Sequence, residues 1–370
     1  MTAVLEQWAG RVRAAAADGK PLRLRGGGSK DFYGRAVAGE ADDWLDTREY
    51  AGIVAYEPTE LVVTARCGTP LAELEAALAE KGQALSFEPP HFGAGATVGG
   101  CVVAGLAGPR RAQAGAVRDF VLGAKLLDGQ GDLLAFGGQV MKNVAGYDVP
   151  RLLAGSLGTL GLIAEVSLKV LPFAVATQTL RFAMAQEAAL ASLNRWGGQP
   201  LPITASAWCD GVLHLRLEGA AAAVSAATRK LGGEMGGEAV AAPEAAAFWA
   251  ALREQTHAFF AAGALADAPL WRLSVPSLTP PLDLPGAQLI EWGGAQRWLR
   301  GGEAATPAAI RQAAQRAGGH ATLFRAGAGE RSVSDVFQPL SAPLARIHRN
   351  LKTAFDPHGV FNPGRMYPDF

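Results

Sequence analysis

Glycine placement is the feature that most limits how this chain can fold. Of its 370 residues, 46 are glycine. In the first half they gather in three segments: RGGGS at 25–29, FGAGATVGGCVVAGLAGPRRAQAGAVRD at 92–119, and KNVAGYDVPRLLAGSLGTLGLI at 142–163. A residue without a Cβ lets backbone approach backbone, a planar ring or a phosphate, and it adopts positive φ without steric cost. Three such segments, far apart in sequence, require a fold that brings loops from different strands together.

The flanking residues supply those strands. PLRLR (21–25) runs into the triple glycine, and GIVAYEP (52–58) and ELVVTARCG (60–68) follow. DFVLGAKLLDGQGDLLAF (119–136) reads as a hairpin whose turn begins at Asp128-Gly129. In GLIAEVSLKVLP (161–172), Leu162, Ala164, Val166, Leu168 and Val170 alternate onto one predicted face, and Pro172 ends the strand. The N-terminal stretch predicts an amphipathic helix with Leu5, Trp8, Ala9, Val12 and Ala16 on one side. Thr69 as cap and Pro70 at the first position predict a second helix, with Leu71, Leu74 and Leu78 inward and Gly82 as its stop.

Beyond LPFAVATQ the texture changes. TQTLRFAM (177–184), a helix over about 185–197, ITASAWCDGVLHLRLEG (203–219) and AAAAVSAATRKLGG (220–233) follow a β-α-β-β-α order of ferredoxin-like type. Strands at LWRLSV, QLIEW, QRWLR and HATLFRAG, with a helix after Thr306-Pro307, predict a second such unit. The tail predicts a helix with Leu344, Ile347, Leu351 and Phe355 inward. This is an α+β chain and not a doubly wound parallel sheet. The expected domains are 1–172, 173–330 as a cap, and 331–370 as a helix and tail returning to the first.

Lys and Arg together number 34, as do Asp and Glu, so nothing in the net charge favours nucleic acid. No apolar run reaches the ~18–20 residues that span a bilayer, and the N-terminus lacks the basic and apolar regions of a secretory signal. Cys67, Cys101 and Cys209 have no metal or redox spacing and read as buried small hydrophobes of a reducing compartment. The cytoplasm is the expected location, with no direct membrane insertion.

Two nucleotide motifs can be excluded. In a Walker A loop the lysine precedes Ser or Thr, whereas Lys30 follows Ser29 and precedes Asp31. A dinucleotide fingerprint needs G-x-G-x-x-G, whereas Gly93, Gly95 and Gly99 place the third glycine one residue too far. GSLGTLG has the wrong spacing and leads into a strand. What remains is a set of loops able to supply N–H donors to a diphosphate.

In order and spacing, the three segments resemble the FAD-binding domain of the vanillyl-alcohol oxidase/p-cresol methylhydroxylase (PCMH) type. KNVAGYDVPRLLAGSLGTLGLIAEVSLKVLP resembles its glycolate oxidase and D-lactate dehydrogenase branch. IEWGGAQRWLRG and FDPHGVFNPGRMYP are similar to the FAD-binding subunits of bacterial glycolate oxidases. The resemblance implies a two-lobed FAD domain and assigns Arg25, Gly26, Gly27, Gly28, Ser29 and Lys30 to the first FAD loop. It places Thr97, Val98, Gly99 and Gly100 along the pyrophosphate and ribityl side. Gly108, Gly115 and Asp119 fall around the flavin, and Gly158, Gly161 and Ile163 at the adenine end. Asn143 and Tyr147 match K-N-x-x-G-Y-D. Relatives with covalent flavin often carry a His in the first loop; Ser29 and Lys30 stand there, which implies non-covalent FAD.

Catalytic relatives carry H-x-H-x-G-D-G-N-x-H. The nearest string here, ASAWCDGVLH (205–214), keeps Asp210, Gly211 and His214 but has Ala205 and Ala207 for the first two histidines. A hairpin with a C-D-G turn is the favoured reading. His91, His257, His320, His348 and His358 are scattered, and no metal site is expected. A substrate carboxylate needs a cation, and Arg110, Arg111, Arg118, Arg297, Arg300, Arg325 and Arg365 are available. Trp292 and Trp298 read as core residues, with an exposed patch that meets a partner as the functional alternative. The resemblance implies a glycolate oxidase subunit working with a sister FAD-containing catalytic subunit and an iron–sulfur subunit. A small 2-hydroxy acid would be the substrate of a hetero-oligomer, peripheral to the inner membrane through the complex. The alternatives are a stand-alone flavin dehydrogenase for D-2-hydroxy acids and a flavin-free assembly module.

Overall fold

The computed structural model describes residues 2–36, 43–138, 147–261, 268–301, 305–326 and 335–369. They fall into two units. One comprises Met1–Leu106, Ala116–Pro172 and Pro339–Phe370; the other comprises Ala107–Gly115 and Phe173–Gln338.

The first unit contains β1 (Arg23–Arg25), β2 (Trp44–Asp46), β3 (Ile53–Glu57), β4 (Val62–Arg66), β5 (Gln83–Ala84), β6 (Val121–Leu127), β7 (Leu133–Gly137), β8 (Leu162–Lys169) and β9 (Leu171–Pro172). Five of them form an antiparallel sheet in the order β3-β4-β8-β6-β7. β1 and β2 pair in parallel beside the triple glycine. β8 is central, and every residue from Leu162 to Leu168 is buried. Its apolar alternation is therefore joined by a second buried face carrying Glu165 and Ser167. Both are satisfied: Glu165 accepts from the Tyr50 hydroxyl at 2.8 Å and pairs with Lys125 Nζ at 2.8 Å, and Ser167 shares a 2.8 Å hydroxyl bond with Thr64.

The helix Ala3–Asp18 buries Leu5, Trp8, Ala9, Val12 and Ala15, with Ala15 in place of the expected Ala16. These side chains share one core with Leu45, Leu127, Leu162, Val360 and Phe361. Burying a side chain of that size contributes about 1.5–3 kcal/mol. Thr69 does not cap the helix Leu71–Ala79, which starts at Pro70 without a side-chain cap. Its hydroxyl instead accepts from Gly52 N at 2.9 Å and donates to Arg66 O at 2.8 Å.

The tail helix, Ala342–Phe355, also corrects its expectation. Leu344 and Ile347 are exposed, and the buried residue is Lys352. Lys352 Nζ donates to Thr159 O at 2.7 Å, to Phe361 O at 2.7 Å and to Asp356 Oδ2 at 2.6 Å. Burial pulls the ammonium below its ordinary range, with Asp356 opposing. A polar knot in the last turn, and not an apolar stripe, holds this helix.

The second unit contains β10 (Ala176–Ala183), β11 (Ile203–Cys209), β12 (Val212–Gly219), β13 (Glu238–Val240), β14 (Leu270–Ser274), β15 (Ala287–Glu291), β16 (Gln296–Arg300) and β17 (His320–Arg325). They form one sheet in the order β13-β10-β12-β11-β15-β16-β14-β17. Its two halves are ferredoxin-like strand sets written in opposite directions. They join through three residue pairs, Ala207–Cys209 against Leu289–Glu291. The first half keeps both helices, Gln186–Gly197 and Ala221–Met235, over Leu180, Phe182, Leu213, Leu215 and Leu217. In the second half the stretch between β14 and β15 carries Pro276, Pro280, Pro281 and Pro285 and forms no helix. The helix Pro307–Arg316 follows, capped by Thr306 Oγ1 accepting from Ala309 N at 3.3 Å.

Two features depart from the expected boundaries. Residues 107–115 group with the second unit, and that unit runs to Gln338. The first departure has a clear cause: Gly108 O accepts from Trp292 Nε1 at 3.1 Å, and Arg110 Nε lies 3.5 Å from Glu218.

Candidate functional site

In the first unit, Gly26 and Gly27 rest on the second glycine segment so closely that no side chain fits. A Cβ on Gly27 would lie 1.4 Å from Gly95 O, and one on Gly26 would lie 2.3 Å from Thr97 Oγ1. Gly28 has φ +73°, which reverses the loop toward Asp31; Arg25 and Asp31 close it with a 2.6 Å ion pair. Among the described residues, no main-chain acceptor takes the amides of Gly26, Gly27, Gly28 or Ser29. Successive unspent amides in a turn make a concave anion site. Lys30 Nζ sits 3.4 Å from Ser29 Oγ and donates to His91 O at 3.2 Å.

Thr97–Gly100 behave differently. Val98 N donates to Thr69 O at 2.9 Å and Gly99 N to Cys67 O at 2.8 Å; Gly100 N donates to Thr97 Oγ1 at 3.2 Å. A Cβ on Gly99 would lie 2.7 Å from Cys67 Cβ. With its amides committed, this segment presents a bare backbone wall, and Val98 is fully buried beneath it.

Seven of the predicted residues, from all three segments, line a single cavity of about 60 Å³: Arg25, Gly26, Gly99, Gly100, Gly158, Gly161 and Ile163. Gly158 (φ +70°) and Gly161 (φ +147°) take conformations that favour glycine. Gly108 and Gly115 lie in the second unit and outside this cluster. Asp119 Oδ2 accepts from Ala116 N at 2.8 Å, which stabilises the turn into β6. Tyr147 is exposed, and Asn143 lies outside the described residues.

Asn362, which sequence reasoning missed, also lines the cavity. Its Oδ1 accepts from Leu24 N at 2.9 Å and its Nδ2 donates to Leu157 O at 2.7 Å. It thereby ties the first and third segments to the tail. The available signal was the Asn-Pro pair at 362–363, which marks a turn.

Residues 5–137 match the family described as an FAD binding domain. Over 99% of its length the chain is 50% identical to glycolate oxidase subunit GlcE of Escherichia coli, spanning 97% of that protein. The chain belongs to the GlcE family. More distant relatives share part of this FAD-binding sequence. D-lactate dehydrogenase of Archaeoglobus fulgidus is 34% identical over 41% of this chain and 33% of its own length. Glycolate oxidase subunit GlcD of Bacillus subtilis is 30% identical over 43% of this chain and 34% of its own. A structure of alkyldihydroxyacetonephosphate synthase superposes with TM-score 0.64 at 15% identity, covering 95% of this chain and 73% of that one. It shares the α+β fold.

FAD fits the GlcE-family residues present here, because the unspent amides of 26–29 suit a diphosphate and backbone at Gly99 and Gly100 lines the adjoining cavity. Among the described residues the second unit shows no matching set of proton-handling groups. β11 and β12 form a hairpin with Asp210 (φ +48°) and Gly211 (φ +80°) at its turn, and Ala207 pairs directly opposite His214. His214 stacks on Phe248 at 4.0 Å, and burial, aided by His257 and Arg181, pushes its pKa down to about 4. His91 bonds Glu75 at 2.8 Å in the first unit. Among the described residues no group of three or more His, Cys, Asp or Glu is placed to hold a metal.

Most of the candidate arginines serve the fold. Arg365 donates to Arg35 O, Asp31 O and Tyr33 O. Buried Arg297 donates to Gly294 O and Thr279 O, and burial lowers its pKa to about 10. Arg300 donates to Phe260 O and Arg325 to Gln255 Oε1. Exposed Arg118 lies 3.9 Å from Asp119. Cys67 and Cys101 are buried and Cys209 is partly exposed; all three are free thiols that burial pushes up to about 12. Among the described residues no helix is long and apolar enough to cross a membrane.

Proposed function

We propose that this chain is the FAD-carrying subunit of a glycolate-oxidising complex that converts glycolate to glyoxylate. Its partners are a sister flavoprotein subunit, which carries most of the substrate chemistry, and an iron–sulfur subunit, which receives the electrons. The observation that carries the reading is the run of unspent amides at Gly26–Ser29, facing a Cβ-free wall in a chain of the GlcE family. Bound FAD supplies reversible two-electron redox chemistry. The chain's own contribution is to bind and to orient. Amides 26–29 hold the diphosphate, assisted by the Ser29 hydroxyl and the Lys30 ammonium. The wall at Gly99–Gly100 and the turns at Gly158 and Gly161 shape the rest of the cradle. With Ser29 and Lys30 in that loop, we assign the cofactor as non-covalent.

One observation favours a carrier over a stand-alone catalyst. The only histidine kept from the H-x-H string is His214, stacked, half-buried and neutral down to about pH 4. A neutral imidazole opposite Ala207, with His257 as its one histidine neighbour among the described residues, does not reproduce that histidine cluster.

The decisive experiment is the visible spectrum of the purified chain, repeated on the supernatant after heat denaturation. Flavin bands passing fully into the supernatant are expected. Glycolate should bleach them slowly or not at all in the isolated chain and rapidly in the reconstituted complex. A colourless protein that takes up no added FAD would overturn the cofactor assignment. Full-rate bleaching of the isolated chain would replace the carrier role with a stand-alone dehydrogenase.

A further inference from the structure

The second unit holds a cavity of about 650 Å³, within the range of about 300–1,000 Å³ typical of small-molecule sites. It lies where the two ferredoxin-like halves part. β11 pairs with β15 only through Ala207–Cys209; its earlier residues, Ile203–Ser206, line the opening instead, together with Trp292 and Gly293. The segment following Leu106 enters here as the short helix Arg111–Ala114, and Arg111, Ala112 and Gln113 complete the wall.

The lining has a distinct chemistry. Among the residues that line it, Arg111 is the one with a formally charged side chain. The Arg111 guanidinium lies over the Trp292 ring, 4.4 Å from its centroid, which fixes a planar fork beside an aromatic surface. Its neighbour Arg110 is directed to Glu218 instead.

We propose that this cavity is a ligand site for an organic monocarboxylate with an apolar or aromatic body, its carboxylate held by Arg111 and its body against Trp292. The volume far exceeds what a two-carbon acid fills, so the ligand is larger than glycolate. Every lining residue belongs to the second unit, and the proposal does not rest on the flavin reading.

Phenylacetate and its neutral analogue phenylacetamide are suitable probes for calorimetric titration of the full chain. Phenylacetate should bind at one site per chain and at least tenfold more tightly than the amide. Arg111→Gln should weaken phenylacetate at least tenfold and leave the amide nearly unchanged, and Arg111→Lys should recover part of the loss. Gly197 supplies a second variant that does not touch Arg111. It lines the cavity, and a Cβ built on it meets nothing within 4 Å. Gly197→Phe should fill the space and block both probes while the flavin content stays the same. Equal binding of acid and amide, no binding of either, or phenylacetate binding indifferent to Arg111→Gln and Gly197→Phe would each overturn the proposal.

Discussion

Gly26–Ser29 and Thr97–Gly100 are both glycine-rich turns of the first unit, yet they spend their backbones in opposite ways. The first keeps its amides unspent by the protein's main chain, while the second commits Val98, Gly99 and Gly100 to acceptors within the fold. In the first segment glycine exposes donors; in the second it removes obstruction. Glycine content alone does not distinguish a donor loop from a wall. The distinction lies in where each N–H goes, and it sets what substitutions in the two segments should do.

The largest effect is expected where the two segments meet. Gly27→Ala drives a methyl into Gly95 O. It should abolish flavin retention and lower the melting temperature, as read by the flavin-to-protein ratio and a thermal melt. Retention of both would mean that the loops do not touch. Next comes Asn362→Ala, which strands Leu24 N and Leu157 O and should cost about 2–4 kcal/mol in urea unfolding, since each unsatisfied buried group costs about 1–3 kcal/mol. Ser29→Ala removes one hydroxyl from the donor loop. A three- to tenfold rise in FAD Kd is expected, roughly the 0.5–1.5 kcal/mol of one hydrogen bond.

Thr97→Val supplies the contrast. It deletes the Gly100 cap, worth about 1 kcal/mol of stability, and should leave FAD affinity within about twofold, because the wall offers no donors. A Thr97 variant that lost FAD as steeply as a Ser29 variant would erase the distinction between donor loop and wall.

The smallest effect belongs to the second unit. His214 titrates near 4 when folded, against an ordinary value of 6.5, chiefly through burial. The unfolded chain takes up that proton first, so the His214 contribution is fully present above about pH 6.5 and declines toward pH 4. His214→Phe, which keeps the stack on Phe248, should therefore flatten the fall in melting temperature between pH 7 and pH 5. An unchanged slope would assign that fall to other groups.

Much of this was legible from local pattern. The β8 alternation, the Asp210-Gly211 hairpin, the duplicated strand order and the three glycine segments all depend on residues close in sequence. What escaped depends on distant partners. Lys352 reads as one more charge on an amphipathic helix, and only Thr159 O and Phe361 O, brought together by the fold, make it the buried anchor. Leu344 and Ile347 have good helical spacing and nothing in the described fold to cover them. Arg110 and Arg111 are indistinguishable in sequence; Glu218 and Trp292, more than a hundred residues away, give them different roles. The loss of one helix in the second ferredoxin-like half was written in its four prolines, a signal that strand counting alone passes over.

The interleaving of the two units also orders their assembly during synthesis. The chain crosses between them four times, after Leu106, Gly115, Pro172 and Gln338. All pieces of the second unit have been synthesised by residue 338, while the first still lacks Val360, Phe361 and Asn362, which its core and cavity require. Synthesis therefore completes the later unit first, while the earlier one still has an open apolar core. A premature stop in the last thirty codons would spare the second unit and leave the cofactor cradle unclosed.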